Sequence, residues 1–542
     1  MSLRNLFIVV SCSLTAGLIG LAQVWPLAYA GFAVLCPVVL LGVADMLQRP
    51  HAIRRNFPLL GHGRYLLEKI RPEINQYFIE SNTDGTPFSR EQRSLVYQRA
   101  KNTTDTLPFG TQRDVYAEGY EWINHSLLAR SLPAVPHRVR IGSDACTRPY
   151  SAALLNVGAM SYGALSDAAI RALGRGAKLG SFAHNTGEGG LSPYHLEAGC
   201  DLIWQLGTGY FGARDAAGNF CPDRFCENAQ RPAVKMIEIK LSQGAKPGHG
   251  GILPASKLTR KIADIRGVPL GQDVLSPPSH TAFRTPTGLL RFVDRLRELS
   301  GGKPVGFKLC IGRPVEFFAI AKAMLETGIV PDFITVDGAE GGTGAAPLEF
   351  SNVVGTPLVD ALILVHNTLT GIGVRHQVKI IASGRIITGF DIAHKLALGA
   401  DLVYSARGMM FALGCIQARR CNSNDCPTGI ATQDPRLIRG LVVSDKAERV
   451  ANFQRNTLHA FQELLGATGL EHPSQLRPWH IQRRVTTTRV ESYDEIFEFC
   501  APGAFLRGDF PEGYERGWHA ACADSFERRA SLEPPRVALM AS

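Results

Sequence analysis

Eight short apolar runs, rich in β-branched residues, recur between residues 153 and 408, each closed by glycine or a polar cluster. They read "ALLNVGAM", "SFAHNTGEGG", "LIWQLGTG", "VKMIEIKL", "PVGFKLC", "DFITVDGA", "VKIIASGRI" and "ADLVYSARG". Strands that are apolar on both faces belong in a parallel sheet covered on both sides. Helical patterns such as "SDAAIRALGRGAKLG" and "TGFDIAHKLALGA" lie between several of them, as parallel crossovers require. Eight such units predict an α/β chain built on a (β/α)8 barrel of the TIM type, with its site at the C-terminal ends of the strands. An open doubly wound sheet is the rival, but no Gly-x-Gly-x-x-Gly turn follows a first strand. One long helix is predicted over 444–466, with Ser444 as its cap.

The N-terminus carries a second constraint. "LFIVVSCSLTAGLIGLAQVW", Leu6 to Trp25, and "PLAYAGFAVLCPVVLLGVA", Pro26 to Ala44, contain no charge. Each nears the roughly 20 residues that cross a bilayer. Trp25 and Tyr29 beside Pro26 suit an interface, and Arg4 on one side with Arg49, Arg54 and Arg55 on the other place both ends in the cytoplasm. The expectation is a hairpin through the cytoplasmic membrane over residues 6–44, with the catalytic part in the cytoplasm. The rivals are a secretory signal ending in "AYA" at 28–30 and a helical hairpin buried in a soluble core. The second apolar run argues against the signal. The organisation expected is a transmembrane hairpin (1–48), a helical and loop extension (49–140), the barrel (141–440) and a C-terminal helical extension (441–542).

A net charge of +10 admits nucleic acid, membrane surfaces and acidic small molecules as partners. No run of five or six like charges and no aromatic-basic motif occurs, so nucleic acid is not expected. The 55 glycines suggest loops where backbone approaches a ligand closely. Twelve cysteines in a chain this large need not be a disulfide framework, and if residues 49 onward are cytosolic they point to free thiols or metal ligands. Cys221 and Cys226, in "CPDRFC", read as plain cysteines.

The ends of the runs carry the chemistry. In barrels a phosphate often sits on the loops after strands seven and eight, held by backbone N–H groups and a helix N-terminus. Ser383, Gly384 and Arg385 would form one side, Ser405, Ala406, Arg407 and Gly408 the other. The alternative is two ordinary tight turns. "HNTGEGG", 184–190, sets one acid, Glu188, among glycines at a strand end. "QGAKPGHGG", 243–251, brings Gln243 and Lys246 onto a loop suited to a carboxylate, and Arg266 offers a bidentate clamp for a second one. Lys308, inside the fifth run, requires a partner: a ligand anion, a flavin edge, Glu238 or Asp337.

Cys415, Cys421 and Cys426 lie six and five positions apart, directly after the eighth run. Thiolates this close suit an iron–sulfur cluster wrapped by one loop, and three of them suggest a cluster lacking one corner iron. Zinc would want a fourth ligand, for which His394 and Asp425 are candidates. Chance clustering of plain cysteines is the third reading.

Taken together, "GAMSYGALSDAAI", "NTGEGG", "EIKLSQGAKPGHGGILP", "LSPPSH", "GGTGAAP" and "CNSNDCPTGIATQDP" resemble the synthase domain of glutamate synthase over residues 150 to 440. The resemblance implies FMN on the barrel and a [3Fe–4S] cluster on Cys415, Cys421 and Cys426. It implies addition of ammonia to 2-oxoglutarate and hydride delivery to the resulting imine. Glu188, Gln243, Lys246 and Arg266 would line the 2-oxoacid pocket, with Glu188, Lys246 and Lys308 as catalytic groups. Met160, Ser161, Gln205, Lys308, Ser383, Gly384, Arg385, Ser405, Ala406 and Arg407 would hold the flavin. The implied partners are a 2-oxoacid, ammonia or an amine, and an electron donor: ferredoxin, a reductase subunit or quinol.

The chain departs from the family pattern in ways that bear on substrate. Nothing resembles a glutaminase domain or the glycine-repeat β-helix. "GHGGILPA" stands where the family has "GEGGQLPG", so His249 replaces an acid and Ile252 a polar residue. "GAEGGTG" stands for "GHDGGTG", altering positions Ala339 and Glu340. One lost hydrogen-bonding group shifts discrimination by about 1–3 kcal/mol. The related N-methylglutamate synthase uses the same domain with an amine donor, so the resemblance also implies an N-substituted glutamate as a product. The alternatives are an electron-transfer module between a membrane carrier such as quinone and a soluble partner, an inactive scaffold, and inosine monophosphate dehydrogenase-like chemistry.

Overall fold

The computed structural model describes residues 2–133 and 135–529. The chain forms two compact units, Met1–Arg90 and Glu91–Ser542. In the first, helices α1 (Leu3–Val24) and α2 (Phe32–Leu47) are joined by the 3-10 turn Pro26–Gly31. Gly42 lets them touch, since a Cβ there would lie 2.2 Å from the Phe7 ring. Their apolar side chains point outward: only 6% and 11% of the two spans is buried, at mean hydropathies of 2.0 and 2.3. A hairpin in a soluble core would bury them. Two further helices follow, α3 (Ala52–Asn56) and α4 (Leu60–Ile74).

In the second unit the eight runs form the eight strands of one closed parallel barrel. They are β1 (Leu155–Val157), β2 (His184–Asn185), β3 (Leu202–Leu206), β4 (Val234–Lys240), β5 (Val305–Leu309), β6 (Phe333–Asp337), β7 (Lys379–Ser383) and β8 (Leu402–Ser405). β8 pairs with β1 to close the ring. β2 is much shorter than its apolar run because the chain turns at Gly187, φ 63°, where glycine adopts the left-handed region at little cost.

Side chains alternate in and out along each strand, and the interior divides into layers. Ala183, Ile203, Met236, Phe333, Ile381 and Leu402 form an apolar floor, closed by Ile141, Tyr150 and Ala152 of the antiparallel pair Arg138–Ile141 and Tyr150–Ala153. Above it, fully buried Glu238 accepts hydrogen bonds from Asn185 Nδ2 (2.7 Å), Gln205 Nε2 (2.7 Å) and Thr335 Oγ1 (2.6 Å). One more step along the strands brings Lys240, Lys308, Asp337 and Ser383 to the mouth. A buried carboxylate persists there because donors from three strands satisfy it.

The outer helices include α5 (Asp167–Gly180), capped by Ser166, α6 (Arg260–Arg266), α7 (Leu358–Gly371), α8 (Arg407–Leu413) and α9 (Val443–Ala467). α9 begins at Val443 with no side-chain cap, so Ser444 is its second residue rather than the cap. It packs against α5 and β1. A Cβ on Gly176 of α5 would lie 2.7 Å from Ala447 O, and Gln454 Nε2 donates to Leu155 O of β1 at 3.4 Å. Outside the barrel, Glu121–Ile123 pairs with Ile481–Arg484, which pairs with Val490–Ser492.

Candidate functional site

A parallel barrel brings its strand ends to one rim, and Glu188, Lys308 and Asp337 stand together there. Glu188, after β2, accepts from Lys240 Nζ at 2.6 Å. Gly207, after β3, and Gly251, after β4, leave room for it: a Cβ on either would come within 2.7 or 2.8 Å of its side chain. Burial raises the proton affinity of Glu188, but Lys240, Lys246 and Arg266 together hold its carboxyl below the usual range. It is a carboxylate ringed by cations.

Lys246 is buried, donates its Nζ to Ala345 O at 3.1 Å, and is pushed down to about 8 by burial, with Glu188 opposing and Lys240 assisting. Gln243 stands on the same turn, its carbonyl accepting the Lys246 N–H at 3.2 Å. Gly244 between them approaches backbone so closely that a Cβ would lie 1.6 Å from Gly338 O. Arg266, the last residue of α6, lies over the Phe211 ring, 5.2 Å from its centroid, a cation–π contact. Its Nη2 donates to Tyr162 O at 3.2 Å. Its Nε is buried with no hydrogen-bond partner among the described residues. Burial lowers this guanidinium to about 10, Glu188 opposing. The Phe211 ring also lines a cavity of about 310 Å³ with Arg214, Gln272, Asp273 and Thr281.

Lys308 Nζ pairs with Asp337 at 3.3 Å, one of the two partners anticipated for a lysine inside an apolar strand. Burial alone would lower it; Asp337 and Glu238 raise it above the ordinary lysine value. Asp337 also accepts from Gly244 N–H at 2.8 Å, tying the fourth strand's loop to the sixth strand.

The remaining flavin candidates divide. Met160 and Ser161 follow β1. The Met160 N–H donates to Asn185 O at 3.0 Å, and its carbonyl accepts from His195 Nε2 at 3.1 Å. A Cβ on Gly187 would lie 2.9 Å from Ser161 N, so glycine lets these two strand-end loops touch. Gln205 sits a layer deeper, its amide on Glu238. Ser383 ends β7 and Ser405 ends β8; the Ser405 hydroxyl donates to Ile386 O at 2.7 Å and fastens the turn. Ala406 precedes α8, and Arg385 follows Gly384 at φ 52°. Arg407 Nη2 donates to Glu340 O at 2.6 Å. Burial, with Arg385 adding to it and Asp337 and Glu340 opposing, lowers the Arg407 guanidinium to about 10. Two guanidinium groups that disfavour one another at the ends of β7 and β8 are complementary to a phosphate. A Cβ on Gly342 would lie 2.7 Å from Arg407, so a glycine keeps this corner open. The residues present fit a phosphate-bearing flavin.

The three thiols lie on one loop after α8 and sense one another. Burial pushes Cys415 up to about 12, with Cys421 and Cys426 adding to the shift. Burial and Cys426 raise Cys421, against Lys257. Gln417 N–H points at Cys415 Sγ (3.4 Å) and Thr428 Oγ1 lies 3.4 Å from Cys426 Sγ. Among the described residues no three His, Cys, Asp or Glu converge on a single ion. In a cluster, each of the three thiolates would hold a separate iron. The proposed fourth zinc ligands are engaged elsewhere: His394 with Lys395 (2.8 Å) and the Tyr493 ring, Asp425 with Ser423 and Arg420.

Several functional positions escaped the sequence reading. Lys240 is one, although Glu238 and Lys240 in "VKMIEIK" share a strand face by their spacing of two. Lys257 is another: buried, it donates to Ala164 O (2.6 Å) and Cys421 O (3.1 Å). Asn424, at φ 63°, stitches the cysteine loop down, donating to Ser256 O (2.9 Å) and accepting from Gln433 N–H (2.7 Å). His280, of "LSPPSH", bridges Tyr210 OH and Lys240 O, both at 2.9 Å. Of the altered positions, Glu340 accepts the Leu358 N–H at 3.0 Å, at the start of α7, where a carboxylate is favoured. Ile252 pairs with Leu275 in a two-residue strand.

Fold and mouth together define a (β/α)8-barrel enzyme with a cation-rich, anion-complementary rim. Residues 137–471 match the conserved region in glutamate synthase. The chain is 37% identical over 504 residues to the glutamate synthase large subunit-like protein YerD of Bacillus subtilis, covering 85% of this chain and 95% of that one. It is 38% identical over 321 residues to the archaeal-type glutamate synthase (NADPH) of Thermotoga neapolitana, covering 59% of this chain and 60% of the relative. A similar match, 37% over 319 residues, covers 59% of this chain and 59% of the archaeal glutamate synthase (NADPH) of Methanocaldococcus jannaschii. The chain belongs to the glutamate synthase family and is a glutamate synthase-like oxidoreductase.

Proposed function

We propose that this chain is a membrane-anchored FMN and iron–sulfur enzyme that reduces a 2-oxoglutarate-derived imine to glutamate or an N-substituted glutamate, with amine and electrons supplied from outside. The observation that carries the reading is the ring of Lys240, Lys246 and Arg266 around Glu188 at one rim of the barrel. Burial leaves Lys246 and Arg266 less willing to hold charge than they are in water, and a dicarboxylate between them restores that charge through charge-assisted hydrogen bonds. Gln243 would orient the 2-oxo group. Glu188 Oε1, ionised under its cations, would receive the proton released as the amine adds to the carbonyl carbon. Met160, Ser161, Arg385 and Arg407 would hold FMN, with Lys308 facing its ring system. The cofactors, FMN and a [3Fe–4S] cluster on Cys415, Cys421 and Cys426, would supply hydride and single electrons. The protein's part is to bind, orient and exclude water. The two exposed apolar helices, with arginines beyond both ends, would anchor the chain in the cytoplasmic membrane.

The test is a substrate screen with chemically reduced enzyme in the absence of oxygen. Flavin reoxidation is expected with 2-oxoglutarate plus ammonia or methylamine, and not with pyruvate, which has one carboxylate. No reoxidation by any pairing of 2-oxoacid and amine would overturn the reading.

A further inference from the structure

Within the unit Met1–Arg90, α4 is fastened to the end of α2. Asp45, buried in the last turn of α2, accepts the Leu59 N–H at 3.0 Å, and His62 Nε2 meets its two oxygens at 2.8 and 2.9 Å. Gly61 lets α3 pack against α4, since a Cβ there would lie 2.8 Å from Arg54 Cα. The Arg54 guanidinium stacks over the Tyr65 ring at 4.5 Å. α4 is therefore held where the second apolar helix ends.

One face of α4 makes these contacts; another carries apolar side chains into the open. At 3.6 residues per turn, Leu60, Leu66, Leu67 and Ile70 fall within about a third of the circumference, and they are 68%, 59%, 61% and 38% exposed. Phe78, 84% exposed, lies just beyond the helix. Arg64 and Arg71 border one edge of this face, with Arg64 3.8 Å from Glu68, and Glu73 borders the other edge; six arginines and lysines against two glutamates lie between Arg49 and Glu73. An exposed apolar face with a basic border is the signature of a helix lying in a membrane interface.

We propose that α4 lies in the headgroup layer of an anionic bilayer, its apolar face inserted and Arg64 and Arg71 on lipid phosphates. This rests on the membrane reading of the hairpin. Continuity with the hairpin and the basic border select a lipid surface over a protein partner.

The test is hydrogen–deuterium exchange of the full-length protein in nanodiscs of phosphatidylcholine, with and without phosphatidylglycerol. Residues 60–79 are expected to exchange several-fold more slowly in the anionic discs. The double substitution L66E/L67E, and separately R64Q/R71Q, should remove that slowing while residues 6–44 stay protected. Equal exchange of 60–79 in both kinds of disc, with 6–44 protected, overturns the docking and leaves the hairpin standing. Lipid-dependent protection of 60–79 with 6–44 unprotected upholds the docking and overturns the hairpin. Slowing that persists in neutral detergent assigns the face to a protein contact and overturns the docking.

Discussion

Lys246 shows how one residue links burial to function. Burial holds it near 8, so it loses its charge as pH rises through that value. A bound carboxylate favours the charged form, so binding above pH 8 takes up a proton. The affinity for 2-oxoglutarate should therefore be steady near pH 7 and fall as pH rises from about 8, approaching tenfold per unit well above it. Calorimetry at pH 7 and 9 in buffers of different ionisation heat should show proton uptake only at the higher pH, and Lys246→Met should abolish the difference. Lys308, held above the ordinary lysine value by Asp337 and Glu238, should not titrate in this range. The sequence showed Lys246 and Lys308 because each stands out locally. Lys240 pairs directly with Glu188 at 2.6 Å but sits among apolar residues, and only its shared face with Glu238 marks it.

At the scale of elements, the loops are set by close backbone contacts. Gly244→Ala would drive a Cβ into Gly338 O, displacing the loop that carries Gln243 and Lys246. The expected result is a loss of about 1–3 kcal/mol in stability and a raised KM for the oxoacid, read by thermal unfolding and steady-state kinetics. For the cysteine loop, Cys421→Ala should abolish the electron paramagnetic resonance signal of the proposed cluster while bound FMN remains. Asn424→Ala, which unstitches the loop from Ser256 and Gln433, should lower iron content without removing the flavin. Unchanged spectra in Cys421→Ala would refute that ligand. The three cysteines were legible as a group from spacing alone. The role of Asn424 was not, because its partners lie on other loops. Ser444 illustrates the converse: a plausible cap in sequence, it was absorbed into α9 when the helix started one residue earlier.

At the scale of the whole molecule, the exposed apolar hairpin should keep the full chain in the membrane pellet after alkaline carbonate extraction. A chain lacking residues 1–48 should leave that pellet and keep its flavin absorbance; recovery of the intact chain in the carbonate supernatant would count against anchoring. The eight strands, the hairpin and the clustered thiols were determined by the sequence itself, because period, apolar length and spacing are local properties. Only the tertiary structure decided which cations surround Glu188, that Asp337 serves both Lys308 and Gly244, that Lys257 stands beside the thiols, and that α9 completes the barrel wall. Those groups come from strand ends, loops and helices far apart along the chain, and the closure of β8 onto β1 is what gathers the strand-end ones at one rim, where burial then sets their charge.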